Sequence, residues 1–247
     1  MIAVVAGVIT FLFTALLTIA GVGAAFILIP VFTALGIEIH TAMATALLLN
    51  AIAMSVASVT FVKHKLVVWR IAIFTLVAAS ALSPLGAYVS HGLEREPLLW
   101  LFSAFLVFAG AMMLFYTPKP RSSAAGTGVQ LAVGGGVGGF AGFLGGLLGV
   151  GGGNIIVPAL VALGYDPKRA SATTSFVVIF SSLAGFLGHA TLAGTDSRLL
   201  AWTGAGSMGG AALGAWLMSA KLQSRQVKVL IGVVLLSIAA KMAWGLL

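Results

Sequence analysis

Cysteine is absent from the 247 residues. That excludes disulfides, thiolate nucleophiles and cysteine-ligated metals. Charge is scarce as well: Asp, Glu, Lys and Arg make up 7% of the chain, against about 25% in a soluble domain. Only five residues are acidic, and none falls midway along an apolar run. The four histidines are scattered and form no metal-binding constellation. No nucleophile stands beside a base at a catalytic spacing. Neither an enzyme nor a cofactor is expected. The chain has instead 60% hydrophobic residues and a mean hydropathy of +1.16. It reads as an all-α integral membrane protein with several helices, with too little length left over for a soluble domain. The net charge of +8 could suggest nucleic acid, but loop Lys and Arg that orient membrane helices account for it, so no nucleic-acid partner is expected. The first residues lack a basic n-region and a small-residue cleavage site, so they read as a mature helix and not as a signal peptide.

One stretch organises the rest. Gly149-Val150-Gly151-Gly152-Gly153-Asn154-Ile155-Ile156-Val157-Pro158 lies inside an apolar run long enough to span a membrane. Each glycine costs a helix roughly 1 kcal/mol relative to alanine, so four within five positions should break it. A broken helix in hydrocarbon is tolerated only where protein or a water-lined cavity satisfies the freed backbone groups. The same pattern occurs earlier, from Gly21 and Gly23 to Pro30, at a constant offset of 128 residues. From Gly21–Thr45 to Gly149–Thr173 there is no gap, and eleven of the 25 pairs are identical. The chain is therefore a duplicated unit. Paired Gly/Pro-interrupted segments at matching places in two halves point to the binding site of a secondary transporter.

In order, the first repeat covers 1–116, a linker covers 117–128 and the second repeat covers 129–247. Residues 2–35 are apolar and broken at Gly21–Gly23. One straight helix of that length would be about 50 Å long, too long for a ~30 Å hydrocarbon core. Spans follow at about Thr41–Val62, Trp69–Ser90 and Leu98–Tyr116, with a basic loop at Lys63–Arg70 and a polar turn at Glu94–Pro97. Thr117–Thr127 reads as the linker. The second half repeats the plan: Val129–Leu163 broken at Gly149–Gly153, then about Lys168–His189, Leu199–Ser219 and Val227–Leu246. Asp166-Pro167 reads as an N-cap with a first-turn proline, and Glu38 occupies the position matching Asp166. Leu85-Gly86-Ala87 and Leu213-Gly214-Ala215 keep the offset.

Charge discriminates between topologies. If each broken stretch crosses once, the 13 Lys and Arg divide seven against six. If each turns back as a hairpin, Lys63, Lys65, Arg70, Lys119, Arg121, Lys168, Arg169, Lys221, Arg225 and Lys228 share one side. Only Arg95, Arg198 and Lys241 remain on the other. Ten against three is what the positive-inside rule expects. The expected fold is thus two inverted-topology repeats, each a glycine-broken helical hairpin plus three transmembrane helices. The linker is then cytoplasmic and both termini lie outside.

The doubled segment, Gly21–Gly36 and Gly149–Gly164, resembles the TauE/SafE family of sulfite and organosulfur anion exporters. Small-polar helices that follow each copy extend the resemblance, as do His64 and His189 after them, so that it covers essentially the whole chain. It implies a multi-pass permease of the cytoplasmic membrane for a small sulfur-containing anion. The first copy departs from the glycine-rich form, with Ala24-Ala25-Phe26 against Gly152-Gly153-Asn154, which argues against equal roles for the two.

A helix restarting after each break offers unpaired N–H groups and a partial positive charge, so an anion can bind without a basic side chain in hydrocarbon. The candidate substrate-binding residues are Gly21, Gly23, Ala24, Asn50, Gly149, Gly151, Gly152, Gly153, Asn154, Ser171, Thr174 and Ser175. Asn154 adds an amide donor. Ser171, Thr174, Ser175 and Ser182 share a narrow helical face, and their hydroxyls suit sulfite or sulfonate oxygens. Asn50 aligns with Val178 and needs a partner or a ligand. Thr173, repeated as Thr45, points away from that face. The competing reading of the glycines is close helix packing, which suits Gly134–Gly146 and Gly204–Gly214. A phosphate loop would need a strand-to-helix unit, which the apolar helical flanks do not supply. The leading function is a secondary carrier working by alternating access; an anion channel and a non-transporting membrane scaffold are the alternatives. A coupling proton or ion and a homodimer stay open.

Cysteines introduced at Ser122 and Ser224 should resist an impermeant thiol reagent added outside intact cells, whereas those at Gly92 and Thr195 should label. Labelling of Ser122 and Gly92 from one side would refute the hairpin topology.

Overall fold

The computed structural model of the chain describes residues 2–90, 92, 95–115, 127–189 and 197–244. The expected linker as far as residue 126, Glu94, the loop at 190–196 and the end of the last span at Leu246 lie outside them, while Thr127 and Gly128, expected in the linker, begin a helix. The described residues are helical, with no strand: α1 Ile2–Ala20, α2 Ala25–Ala34, α3 Ile39–Lys63, α4 Trp69–Val89, α5 Arg95–Phe115, α6 Thr127–Leu148, α7 Gly153–Ala162, α8 Pro167–His189, α9 Ser197–Trp216 and α10 Ser224–Trp244. Five of these helices, α1, α3, α4, α8 and α10, are long and apolar enough to cross a membrane.

The duplicated sequence makes duplicated backbone. α1 ends where Gly21 N–H donates to the Thr18 carbonyl (3.0 Å) and Val22 N–H to that of Leu17 (3.1 Å). α6 ends the same way, Gly149 to Gly146 (3.2 Å) and Val150 to Gly145 (2.8 Å). Gly21 and Gly149 have φ of +72° and +71°, the left-handed conformation that closes a helix C-terminus and that glycine adopts without a Cβ penalty. The short helices α2 and α7 then run for ten residues each. Capping is repeated too. Thr41 N–H donates to Glu38 Oε2 (2.9 Å) at the start of α3, and Lys168 and Arg169 N–H donate to Asp166 Oδ1 (3.0 and 3.2 Å) at the start of α8. Backbone N–H groups of His40 and Thr41 hold the Glu38 carboxyl below its ordinary pKa. This cap is therefore intact above the ordinary carboxylate range and is lost as the pH falls through the lowered value.

Two glycine-lined seams bring backbones together. Cβ atoms added at Gly138, Gly142 and Gly146 of α6 would strike the carbonyl oxygens of Thr75, Ala79 and Ser83 on α4. Gly206, Gly210 and Gly214 of α9 stand likewise against the carbonyls of Gly7, Phe11 and Ala15 on α1. In each seam the contact numbers rise together, so the paired helices run in the same direction. α4 and α8 also run together, from Trp69 against Phe176 (ring centroids 5.0 Å apart) to Ser83 Oγ, which donates to the Ser181 carbonyl (2.8 Å). α3 and α8 run in opposite directions. Val68, just past α3, donates its N–H to Thr173 Oγ1 near the start of α8 (2.9 Å), while His40 at the start of α3 lies 6.1 Å from His189 at the end of α8.

One span ends otherwise than expected. α9 stops at Trp216 and continues as a π turn, Leu217–Lys221, instead of remaining regular to Ser219. The Lys168 ammonium donates to the Ser219 and Leu222 carbonyls there (3.0 and 3.1 Å), satisfying acceptors that an α-helical end would leave open.

Gly142→Ala should lower the melting temperature in detergent, because its Cβ meets backbone that cannot rotate away; overpacking of this kind costs about 1–3 kcal/mol. Gly135→Ala has open space around the same atom and should raise stability by about 0.5–1 kcal/mol, the ordinary helix gain. Equal effects would show that the seam is not close-packed.

Candidate functional site

The two breaks meet at the centre of the molecule. A Cβ on Gly153 would lie 2.8 Å from the carbonyl oxygens of Gly21 and Val22, and one on Gly21 would lie 2.7 Å from Ser171 Cα. These contacts bind α1, α7 and the first turns of α8 around one point. Asn50 ties the breaks together. Its Oδ1 accepts from Ala24 N–H (2.8 Å), and its Nδ2 donates to Ser182 Oγ (2.9 Å). A Cβ on Gly23 would run into the Asn50 carboxamide, and one on Gly151 would lie 2.5 Å from Ser182 Oγ and 3.0 Å from Asn50 Nδ2. Gly23 and Gly151 are offset partners, and the single Asn50 packs on both. Ser181 Oγ donates to the Gly151 carbonyl (3.0 Å). Side chains from α3 and α8 thus take the Ala24 N–H and the Gly151 carbonyl, while the N–H groups of Gly21, Val22, Gly149, Val150 and Gly151 bond back into the preceding helix, as apolar surroundings demand.

Several polar atoms at this centre are left over. Asn154, Ser171 and Thr174 are fully buried. Neither Nδ2 nor Oδ1 of Asn154 has a hydrogen-bond partner, nor do Ser171 Oγ and Thr174 Oγ1. A buried polar group without a partner costs about 1–3 kcal/mol. Such atoms on the helices beside the two breaks are a liability for stability, and chemically they are the donors and acceptors that an oxyanion requires. The positive end of α7 begins at the same place, with Gly152 in the left-handed conformation (φ +78°) at its N-cap.

The other expected residues fall around this core in different roles. Ala24 N–H is committed to Asn50, so in this conformation it is not the open donor that the sequence suggests. Ser175 Oγ donates to the Ser171 carbonyl (2.9 Å), which leaves it an acceptor. Gly149 lies against Met43, and Gly152 lies back against Ala141 and Gly145 of the helix it follows. Thr173, whose role was open, caps the start of α4 through Val68. Sequence reasoning missed Ser181 and Ser83, which act through carbonyls that have no sequence signature. It also missed Lys168, taken for a plain loop cation.

A family model described as "Sulfite exporter TauE/SafE" matches residues 6–242. The chain is 26% identical over 223 residues to the probable membrane transporter protein YunE of Bacillus subtilis (strain 168), covering 83% of this chain and 81% of that protein. Sulfite exporter TauE/SafE family protein 6 of Arabidopsis thaliana is 47% identical over 60 residues, 24% of this chain and 12% of that one. Family protein 1 of the same organism is 55% identical over 42 residues, 17% of this chain and 9% of that one.

Asn50→Leu should lower the melting temperature strongly, since it strands the Ala24 N–H and Ser182 at about 1–3 kcal/mol for each unsatisfied group. Ser171→Ala should leave it unchanged or higher, because that hydroxyl has no partner to lose. Thermal unfolding of the purified variants decides; the reverse order would contradict the division between holding and free groups.

Proposed function

The chain belongs to the TauE/SafE sulfite exporter family of membrane transporters, and we propose that it is a secondary carrier of a small sulfur-containing anion such as sulfite or a sulfonate. The observation that carries this reading is the cluster of buried, unpartnered Asn154, Ser171 and Thr174 at the meeting point of two broken helices. The anion is held there by those side chains and by backbone N–H groups at Gly152–Asn154, since that of Gly151 donates to the Gly145 carbonyl (3.3 Å), with no lysine or arginine in contact. Gly21, Gly23 and Gly149 keep side chains out of its way, and Asn50 fixes the first break through the Ala24 N–H.

The carrier works by alternating access between inverted halves, each a broken hairpin with three further helices, in the cytoplasmic membrane with both termini outside. Three features support this. α6 and α8 both run with α4, so α7 between them must return. Gly152 leans back on α6. The equivalent helices α3 and α8 are antiparallel, as an inverted duplication requires. Every residue of the breaks for which burial is described is buried, which fits an occluded state that must open to either side in turn.

Reconstituted into vesicles, the protein should exchange labelled sulfite for trans sulfite, and a channel would show no such counterflow. Asn154→Ala should weaken affinity about tenfold to a hundredfold, the equivalent of the roughly 1.5–3 kcal/mol of a hydrogen bond to a charged group, with no fall in melting temperature. Gly153→Val should abolish binding. Normal affinity in folded Asn154→Ala, Ser171→Ala and Thr174→Val variants would place the site elsewhere.

A further inference from the structure

α1 carries three threonines four residues apart, Thr10, Thr14 and Thr18, each at most 1% exposed. None of their hydroxyls has a hydrogen-bond partner. Helical threonines commonly return their hydroxyl to a carbonyl one turn back, so three failures on one stripe are unusual in an otherwise apolar helix. The stripe ends one turn before Gly21, which touches both Ser171 and Gly153.

The duplicated half shows which neighbour the stripe faces. The offset partners of Thr10, Thr14 and Thr18 are Gly138, Gly142 and Gly146, which lie against Thr75, Ala79 and Ser83. Their own offset partners on α9 are Thr203, Ser207 and Ala211. Ser207 is fully buried and its hydroxyl also lacks a partner, while Thr203 donates to the Leu199 carbonyl (2.7 Å). The α4/α6 seam is therefore closed by glycine on backbone along this line, with Thr75 Oγ1 as its one unsatisfied hydroxyl. The corresponding line of the α1/α9 seam carries hydroxyls, four of them unsatisfied.

The geometry points to the α1/α9 seam as the route by which water and the oxyanion pass between the central site and the face of the protein where α1 begins. This rests on the carrier reading above and adds the path to it. When α1 and α9 part, Thr18, Thr14 with Ser207, and Thr10 offer successive donors to the anion's oxygens, one per helical turn. The hydroxyls left unsatisfied in the closed seam are then solvated. The glycine-closed α4/α6 seam moves as one body.

The chain contains no cysteine, so single cysteines report without background. Thr10→Cys, Thr14→Cys and Thr18→Cys should react with a small anionic thiosulfonate, fastest at Thr10 and slowest at Thr18, and methanesulfonate, which does not consume the reagent as sulfite would, should slow the reaction at Thr18. Val8→Cys and Leu12→Cys, on the exposed apolar face of α1, should stay unreactive in the bilayer. Thr14→Val and Thr18→Val keep the shape and remove the hydroxyl. Each should lower sulfite flux at least fivefold with an unchanged or raised melting temperature. Unreactive cysteines at all three positions, or full flux in both valine variants, would overturn the route. Absence of flux of any sulfur anion through the wild-type protein would instead overturn the carrier reading, and cysteine labelling, which needs no transport, separates the two failures.

Discussion

Unpaired backbone in an apolar interior is the constraint on which the structure turns. A helix that breaks in hydrocarbon must find other partners for its N–H and carbonyl groups, and here two break side by side. Asn50 answers for both, accepting from Ala24 on one side and bonding through Ser182 beside Gly151 on the other. Ser181 takes the Gly151 carbonyl, and Ser83 in turn takes the Ser181 carbonyl. Because this chain of hydrogen bonds runs through α3, α4 and α8, the helices around the centre are fixed by the needs of the two breaks. The apolar seams only bring them close enough.

The same constraint separates the polar groups that hold the breaks from those that are left over. Polar atoms that serve the backbone are saturated, whereas Asn154, Ser171 and Thr174 are buried and unsaturated. That contrast belongs to side-chain geometry, and no count of residue types contains it. It also accounts for part of the doubled glycine pattern. Gly23, Gly151 and Gly153 stand where a Cβ would collide with the Asn50 carboxamide or the opposite break, whereas Gly21, Gly149 and Gly152 stand against Ser171, Met43 and Ala141.

Much of this was legible in the chain. The offset of 128 residues located both breaks and both caps, because each depends on local turn chemistry that repeats with the sequence. The need of Asn50 for a partner was legible as well, since an amide in hydrocarbon cannot stand alone. Its choice of Ala24 and Ser182 was not, because nothing in a single sequence says which helix lies opposite. Ser175 and Ser171 look alike on a helical wheel, yet one is spent on a carbonyl and the other is not. The Lys168 latch depends on a π turn 51 residues away, for which Leu217–Lys221 carries no distinguishing residue type.

The seams carry a last consequence, for the history of the duplication. In one seam the small residues belong to the first helix of the second half, Gly138, Gly142 and Gly146. In the other they belong to the fourth helix of that same half, Gly206, Gly210 and Gly214. The second half supplies glycine to both, and the first half supplies the bulk. The halves have become lock and key and are no longer interchangeable modules. Two copies of the first would set Thr10 and Thr14 against Thr75 and Ala79 without room, whereas two copies of the second would set Gly138, Gly142 and Gly146 against Thr203, Ser207 and Ala211. Exchange of one half for the other would therefore not restore the same pair of seams.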